Sequence, residues 1–460
     1  MTIAATVLLA GCGLPIARTQ AGLELPASWD TRAAPTAVAV ESDWWRAFGS
    51  HELSGLIEIA RVGSFDVAAA VAQVRQADAL ARIAGAKLLP EVNATVSSQR
   101  DRSGDTTSRA HQGYFAASYE VDLWGANHAA RQAALDTLVA SAHARDAVLL
   151  TLTSDVAALY LQTLASRERA GIARRDLAVG ERLLALVEAQ FRRGAASALS
   201  VAQQQTLVYQ LGQTVAERDQ EARASVVALA TLLGRPPQGF EVVGVSLDGL
   251  DSPQVDAGLP AELLVRRPDV AGAERQLAAA DADLTVARAA MLPSLTLTAL
   301  GGASSSQLSR LLSQPYYSVA AGLTAPIFNH GRLAAGRDQA TAQRDELLAV
   351  YRKAIVSALA DVEAALNAVS GTELRQRAQQ KVLAQARESL RLAESRYRAG
   401  AETLLTLLDA QRTLYEAQDS AVRIKLARLQ AAVALYKALG GGWRAPRSSV
   451  TVSSLMESDR

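Results

Sequence analysis

Apolar and polar positions follow two different rhythms along this chain, and the two rhythms succeed one another twice. From Gly125 to about Arg193 apolar or small residues recur alternately three and four positions apart with no proline, which predicts one helix about 100 Å long at 1.5 Å per residue. A segment around Leu348–Val369 repeats this spacing. The positions of the first seam, apolar or small except for Arg145, are Leu135, Leu138, Ala142, Arg145, Leu149, Leu152, Val156 and Leu159. Those of the second are Leu348, Tyr351, Ile355, Ala358, Val362, Ala365 and Val369.

Two stretches ahead of these long helices alternate with a period of two. Val92, Ala94 and Val96 are separated by polar residues, and after a polar turn at about 100–111 the alternation resumes from Phe115 to Leu123. The same arrangement recurs from Leu295 to Ala299 and, after a Gly- and Ser-rich loop, from Tyr317 to Ile327. Each stretch predicts a β-hairpin whose strands are about ten residues long, with one apolar and one polar face.

The segment that leads into each hairpin is an internal repeat. Asp66–Pro90 aligns without a gap on Asp269–Pro293, and about half of the 25 positions are identical. Each copy predicts a helix that ends before its proline, because proline lacks an N–H and disfavours the helical conformation of the preceding residue. The turn at Gly194 recurs at Gly400, 206 residues later.

These patterns predict an α+β chain made of two duplicated half-units, each with one β-hairpin and one long helical hairpin. A signal segment and a tether precede the first half-unit, an irregular connector separates the two, and a polar tail ends the chain. The predicted segments are 1–12, the signal segment; 13–64, the tether and a short helical stretch; 65–237, the first repeat with its hairpin at about 91–124; 238–265, the connector; 266–441, the second repeat with its hairpin at about 294–328; and 442–460, the tail.

Composition is consistent with long packed helices. Hydrophobic residues make up 49% of the 460 residues, but aromatic residues make up only 5%. The net charge of +1 argues against a nucleic-acid partner. No stretch of about 18 uncharged apolar residues occurs, so we expect no transmembrane helix.

The single cysteine points to a lipid anchor. Cys12 alone excludes a disulfide within the chain and a cysteine-based metal cluster. It follows Leu9-Ala10-Gly11, which resembles the bacterial lipobox, in which the cysteine is acylated and becomes the mature N-terminus. A buried thiol near the chain end is the alternative. No Lys or Arg precedes the short apolar run, so we expect that a few basic residues are missing from the start.

Neither the strands nor the helices are complete within one chain. Four strands cannot close a barrel, since small membrane barrels begin at about eight strands. Two copies would give eight strands around a filled interior, and three would give twelve strands around a water-filled lumen. Helical seams rich in Ala and Leu likewise require neighbours.

Several motifs, in order along nearly the whole chain, resemble the TolC-like outer-membrane factors, in particular the lipoprotein branch of tripartite multidrug efflux systems. The motifs are Asp122-Leu123-Trp124-Gly125, Arg266-Arg267-Pro268-Asp269-Val270, Pro326-Ile327-Phe328-Asn329 with Gly331-Arg332, and Tyr397-Arg398-Ala399-Gly400 followed by Leu404 to Gln411. The resemblance implies a homotrimer with a twelve-stranded β-barrel in the outer membrane, a twelve-helix periplasmic α-barrel, and an equatorial domain built from the connector and the termini. It also implies a passive exit duct for small molecules such as drugs, without a cofactor, which opens when a periplasmic adaptor and an inner-membrane RND-type transporter dock.

Two other classes of function remain as alternatives. An enzyme is disfavoured, because the five histidines show no ligand spacing and no phosphate-binding glycine loop is present; Asp78 and Asp281 are expected on solvated helix faces. A lipid-anchored periplasmic scaffold or adaptor would share the helical hairpins but not the amphipathic strands. A duct for polypeptide secretion or for metal efflux is a further alternative.

The resemblance places a periplasmic gate near the turn of the second long hairpin. Leu405, Asp409 and Arg412 are spaced i, i+4 and i+7, on one helix face. In this family that face points into the closed periplasmic mouth, and Tyr397 matches a position that joins the same network. The first repeat has Gln203 and Thr206 at the positions of Asp409 and Arg412. The alternative interpretation is an ordinary i, i+3 surface ion pair.

Two acidic residues of the first hairpin are candidates for pore-lining charges. Glu120 and Asp122 fall on the polar side of the second strand, where they would face the lumen and favour cations. The alternative is that both are solvated charges at the rim.

Overall fold

The computed structural model describes residues 13–31, 40–253 and 255–444, so Cys12, the signal segment and nearly all of the polar tail lie outside the described residues. Four long helices form two helical hairpins, α3 with α4 and α7 with α8, and four strands form one sheet. The helices are α1 (His51–Gly63), α2 (Phe65–Ala86), α3 (Ala126–Arg192), α4 (Ala198–Leu232), α5 (Leu263–Arg266), α6 (Pro268–Ala289), α7 (Arg332–Arg398) and α8 (Leu404–Ala438). The strands are β1 (Glu91–Ser103), β2 (Thr106–Val121), β3 (Ser294–Ser305) and β4 (Pro315–Thr324). Three 3₁₀ helices cover Trp44–Phe48, Pro260–Glu262 and Leu308–Ser313.

The sheet is antiparallel throughout, with the order β1-β2-β3-β4. Its first hairpin differs from the predicted one, because the turn is only Gly104-Asp105 and the strands are 13 and 16 residues long. The polar residues expected in the turn instead continue the ladder, with Arg100 opposite Arg109. Gly104 has φ of 59°, a conformation that glycine adopts at little cost and that suits a two-residue turn. Strand β4 is shorter than expected, ending at Thr324 because Pro326 cannot donate to the ladder.

Two compact units make up the chain, and each draws on both repeats. The first comprises residues up to Leu23 with Ala70–Ala144 and Asp269–Ala354, and it contains the whole sheet. The second comprises Glu24–Ala69, Arg145–Pro268 and the chain from Ile355 onward. The repeat in sequence therefore does not coincide with the division in space.

The main core lies in the second unit, around the segment that precedes α1. Trp44, Trp45 and Phe48 are buried, and Trp44 stacks on Tyr436 of α8 with ring centroids 4.8 Å apart. Glu52 holds the connector, since its carboxylate accepts hydrogen bonds from the backbone N–H of residue 243 at 2.6 Å and of residue 244 at 3.0 Å. The irregular connector is thus fixed by specific contacts.

In the first unit, the N-terminal segment is docked on helix α6. The backbone N–H and the hydroxyl of Thr19 each donate to the carboxylate of Asp281, both at 2.7 Å. Asp281 is only 4% exposed. The expectation of a solvated Asp281 is therefore wrong, because the tether covers this carboxylate and satisfies its oxygens. Asp78 does lie at the surface of its helix, where it accepts a hydrogen bond from Arg82 at 3.1 Å.

The two 67-residue helices bury different fractions of their surface. Each contains an 18-residue segment apolar enough to cross a membrane by length and composition, a criterion that a buried core helix also meets. Half of that segment is buried in α3, but only 28% in α7. The buried residues of α7 follow one stripe, whereas other apolar residues of this helix are exposed. The exposed ones are Val350, Val356, Leu374, Val382 and Leu392. One face of α7 therefore has no apolar partner among the described residues.

Candidate functional site

The sheet has one continuous apolar face, because the register of all three ladders brings apolar positions opposite one another. Phe115 on β2 pairs with Ala94 on β1 and with Gly301 on β3, and Gly301 pairs with Tyr317 on β4. Phe115 is 66% exposed, Tyr317 86% and Val319 79%. The other residues of this face include Val92, Val96, Ala117, Leu297, Ala299, Ala321 and Leu323. An apolar surface of this extent on a soluble sheet would be unfavourable, so it requires an apolar environment.

The opposite face of the sheet is polar, and its charged side chains are acidic. Ser118, Thr298 and Ala320 are aligned across β2, β3 and β4. Glu120 lies on this face, opposite Thr296, and is exposed. The alternation therefore separates an apolar surface from a hydrated one. Strands of a membrane β-barrel show this pattern, because their outer face contacts lipid and their inner face lines a polar interior.

Both edges of the sheet lack a partner among the described residues. Strand β1 pairs only with β2, and β4 pairs only with β3. Two exposed edges, 13 and 10 residues long, present rows of unpaired backbone N–H and C=O groups. In an apolar environment such groups must be paired.

The structure corrects the position of Asp122, which follows strand β2 and faces the start of helix α3. Its carboxylate accepts hydrogen bonds from the backbone N–H of Asn127 at 3.1 Å and of His128 at 2.9 Å, and His128 Nδ1 lies 2.6 Å from Oδ2. Burial opposes ionisation, but these hydrogen bonds from His128 and Asn127 outweigh it and lower the pKa of Asp122. Asp122 is therefore a helix-capping carboxylate with a 7% exposed side chain, not a strand charge.

The rest of this motif connects the end of the first hairpin to the second repeat. Trp124 Nε1 donates to the backbone carbonyl of Pro293 at 2.6 Å, and the Trp124 carbonyl accepts from the N–H of Leu14 at 3.1 Å. Gly125 follows with φ of 77°. This motif, one of several that carry the family resemblance, therefore has a structural role at the junction of strand and helix.

At the turn between α7 and α8, three of the predicted gate residues lie on an exposed face. Arg412 donates to Asp409 at 2.8 Å, and their side chains are 70% and 64% exposed. Leu405 is 69% exposed. The buried face of α8 at this end contains Leu404, Leu407, Ala410 and Leu414. Within one chain the pair thus has the geometry of a surface i, i+3 ion pair, and its exposed face is available to a neighbouring chain.

Tyr397 is not part of this pair. Its hydroxyl donates to Oε1 of Gln190 on α3 at 2.9 Å. Burial raises the pKa of Tyr397. This contact joins the ends of the two helical hairpins, so the Tyr397 hydroxyl bonds to α3 and not to Asp409 or Arg412.

Buried polar groups in the helical hairpins are a feature that the sequence patterns did not reveal. The amide of Gln204 donates to the carbonyl of Gly180 at 3.0 Å, and Gln411 is fully buried. Tyr415 donates to the carbonyl of Asp176 at 3.4 Å. Burial raises the pKa of Asp176 to about 7, although nearby Arg175 opposes the increase. These groups interrupt the apolar seam. In the sequence they could have been recognised only as polar residues at positions where the heptad spacing calls for apolar ones.

Within 13–31, 40–253 and 255–444, no group of three or more His, Cys, Asp or Glu residues could hold a metal ion.

Comparison with known proteins identifies similar chains over nearly the whole length. The model of the family described as outer membrane efflux protein matches residues 56–235 and 259–441. The pyoverdine export outer membrane protein OpmQ of Pseudomonas aeruginosa is 48% identical over 462 residues, covering 97% of this chain and 98% of that protein. The toluene efflux pump outer membrane protein TtgC of Pseudomonas putida is 34% identical, covering 91% and 88%. The open-state crystal structure of the Neisseria gonorrhoeae MtrE outer membrane channel has a TM-score of 0.84 at 30% identity, covering 94% and 98%.

Proposed function

This chain belongs to the outer membrane efflux protein family, and we propose that three copies of it form a passive exit duct from the periplasm to the exterior. The family comprises outer membrane transport channels rather than enzymes. The observation that supports the duct is the four-stranded sheet, which has an exposed apolar face, a polar face and two unpaired edges. Such a sheet is one section of a barrel, and copies of the chain would complete it.

The proposed stoichiometry follows from strand number. Three chains supply twelve strands, enough for a water-filled interior, whereas eight strands leave an interior filled by side chains. Three chains also supply twelve long helices for a periplasmic tube. The exposed apolar residues of α7 support this arrangement, because a helix of a neighbouring chain would cover them.

The proposed partners and cargo follow from the relatives. Their names identify them as outer membrane proteins of efflux pumps and of pyoverdine export. We infer that this chain receives cargo from a periplasmic adaptor and an inner-membrane RND-type transporter. At 48% identity over 97% of the chain, OpmQ supports pyoverdine or a related secreted compound as the cargo.

Secretion in a strain of Pseudomonas aeruginosa that lacks OpmQ tests this function. Expression of this chain should restore most of the pyoverdine in the medium and lower the periplasmic pool, relative to the same strain with an empty plasmid. A medium that stays depleted, although the chain is present in the outer membrane in the amount of native OpmQ, would contradict the proposed cargo and partners.

Within the duct, we propose that Leu405, Asp409 and Arg412 form a constriction at the periplasmic end. Their exposure on one face of α8 supports this, as does the absence of charge at Gln203 and Thr206 in the first repeat. Tyr397 contributes by holding the end of α7 against α3. On the polar face of the sheet, Glu120 is proposed to line the lumen.

Lipidation of Cys12 is proposed as an additional anchor, on the basis of the Leu9-Ala10-Gly11-Cys12 sequence. The mass of the N-terminal peptide from membrane-extracted protein checks it, since an unmodified Cys12 would exclude the anchor.

A further inference from the structure

Three arginines cluster on the apolar face of the sheet, at its far end from the helices. Arg100 and Arg102 lie on β1 on the same face as Val96, and Arg109 on β2 is directly opposite Arg100. All three side chains are exposed. Their side chains therefore project from the same face of the sheet as the apolar residues, and not from the polar face.

Within the part of the chain that the structure describes, no acidic side chain neutralises this cluster. Asp101 lies on the opposite face, where it accepts a hydrogen bond from Gln99 at 3.0 Å, and Asp105 is in the turn. Among the described residues, none of the three guanidinium groups has an ion pair; Arg102 Nε contacts only the carbonyl of Gly104, at 3.4 Å. Like charges directly opposite each other destabilise a β-ladder. An anion bound between Arg100 and Arg109 would remove that repulsion.

The order of residues along this face matches the order of layers in a lipid leaflet. Apolar positions from Val92 to Val96 come first, followed by the polar pair Ser98 and His111, whose side chains are 2.9 Å apart. The arginines come last. A tilted strand crosses the hydrocarbon in about 9–11 residues. If β1 enters the hydrocarbon at its first residue, Glu91, a span of about 9–11 residues ends near Arg100, and the lipid headgroups would begin there.

We propose that Arg100, Arg102 and Arg109 bind the phosphorylated headgroups of lipids in the outer leaflet around the barrel. The inference rests on the proposed placement of the apolar face in the membrane. Arginine suits this ligand, because its planar guanidinium donates two parallel hydrogen bonds to a phosphate. A lipid, and not a soluble anion, is the ligand because the cluster continues the apolar surface and is absent from the polar face.

Binding of bisphosphorylated lipid A by the purified full chain in neutral detergent, measured by native mass spectrometry, tests the proposal. The triple variant R100Q/R102Q/R109Q should bind roughly 10- to 100-fold more weakly than the wild type, since each cation near a charged lipid surface strengthens binding severalfold. The R100K/R102K/R109K variant should bind with an affinity between those of the wild type and the glutamine variant, because lysine keeps the positive charge but cannot donate two parallel hydrogen bonds to one phosphate. Dephosphorylated lipid A should bind as weakly to the wild type as bisphosphorylated lipid A binds to the glutamine variant.

The control variant R375Q/R387Q/R391Q removes the same charge from exposed positions of α7 and should bind lipid A like the wild type. Equal affinity of the wild type and R100Q/R102Q/R109Q would overturn the proposal, as would an equal loss in both triple variants. Inorganic phosphate that binds the wild type as tightly as lipid A would also overturn it. Insertion into the outer membrane is measured on the same proteins, so that failure of the duct can be told apart from failure of the arginine site. A wild type that does not insert would contradict the duct. A wild type that inserts but binds lipid A no better than R100Q/R102Q/R109Q would contradict only the arginine site.

Discussion

Val319→Arg should remove most of the protein from the outer membrane, whereas Ala320→Arg should leave it there. The two positions are adjacent in β4 and point to opposite faces. Val319 pairs with Ala299 on the apolar face and is 79% exposed, and Ala320 pairs with Thr298 on the polar face. An arginine that faces lipid near the middle of a bilayer costs about 2–4 kcal/mol, and an assembly of several chains bears this cost in each chain.

The measurement is the amount of each variant in purified outer membranes at equal expression. Ala320→Arg is the matched control, because it introduces the same side chain one residue away in the same strand. Equal amounts of both variants in the membrane would show that the apolar face does not contact lipid.

Asp409→Ala combined with Arg412→Ala should raise single-channel conductance in planar bilayers. We expect an increase of roughly twofold or more if these side chains form the constriction at the periplasmic end of the duct. The fold should survive, since both side chains are largely exposed and a surface ion pair contributes about 0–1 kcal/mol. The increase would arise from removal of side chains and charges from the narrowest part of the duct.

Gln203→Ala combined with Thr206→Ala is the control for this experiment. These residues occupy the matching positions of the first helical hairpin and are exposed, so they test whether any truncation near a turn widens the duct. Unchanged conductance in the Asp409 and Arg412 variant, or the same increase in both variants, would exclude the proposed gate.

The sequence predicted the elements whose signal repeats along the chain. Helix α3 was expected from Gly125 to about Arg193 and spans Ala126–Arg192, because an uninterrupted seam of three-and-four spacing admits few other conformations. The repeat of Asp66–Pro90 also predicted that α2 and α6 end ahead of a proline, although both end slightly earlier than expected, at Ala86 and Ala289. The alternation of residues in the strands predicted the two faces of the sheet, which the register confirms.

Contacts between distant segments carried no such signal. The hydrogen bonds of Thr19 with Asp281 join residues 262 positions apart, and nothing periodic marks either one. In the sequence Asp122 continues the alternation of β2. The pattern therefore gave no sign that its side chain turns toward the first turn of α3. The long first hairpin was missed for a related reason, since its polar residues fit both a loop and a hydrated strand end.

Charge placement shows how the register adds information to the sequence. Arg100, Arg102 and Arg109 look like part of a polar turn when the chain is read in order. Only the pairing of β1 with β2 places them together on the apolar face. The ladder between β2 and β3 pairs Glu120 with Thr296 on the opposite face. The sheet thus separates cations on the side proposed to face lipid from acids on the side proposed to face the lumen.

We propose that this sheet spans the outer membrane with one face in lipid and the other in water. This placement is tested most directly by single cysteines at positions 319 and 320 in a chain whose Cys12 is replaced by serine, labelled in intact outer membranes with a membrane-impermeant maleimide. We predict that Ala320→Cys reacts readily and that Val319→Cys reacts only after the membrane is dissolved. Equal labelling of the two positions in intact membranes would show that the two faces of the sheet do not lie in lipid and in water, respectively.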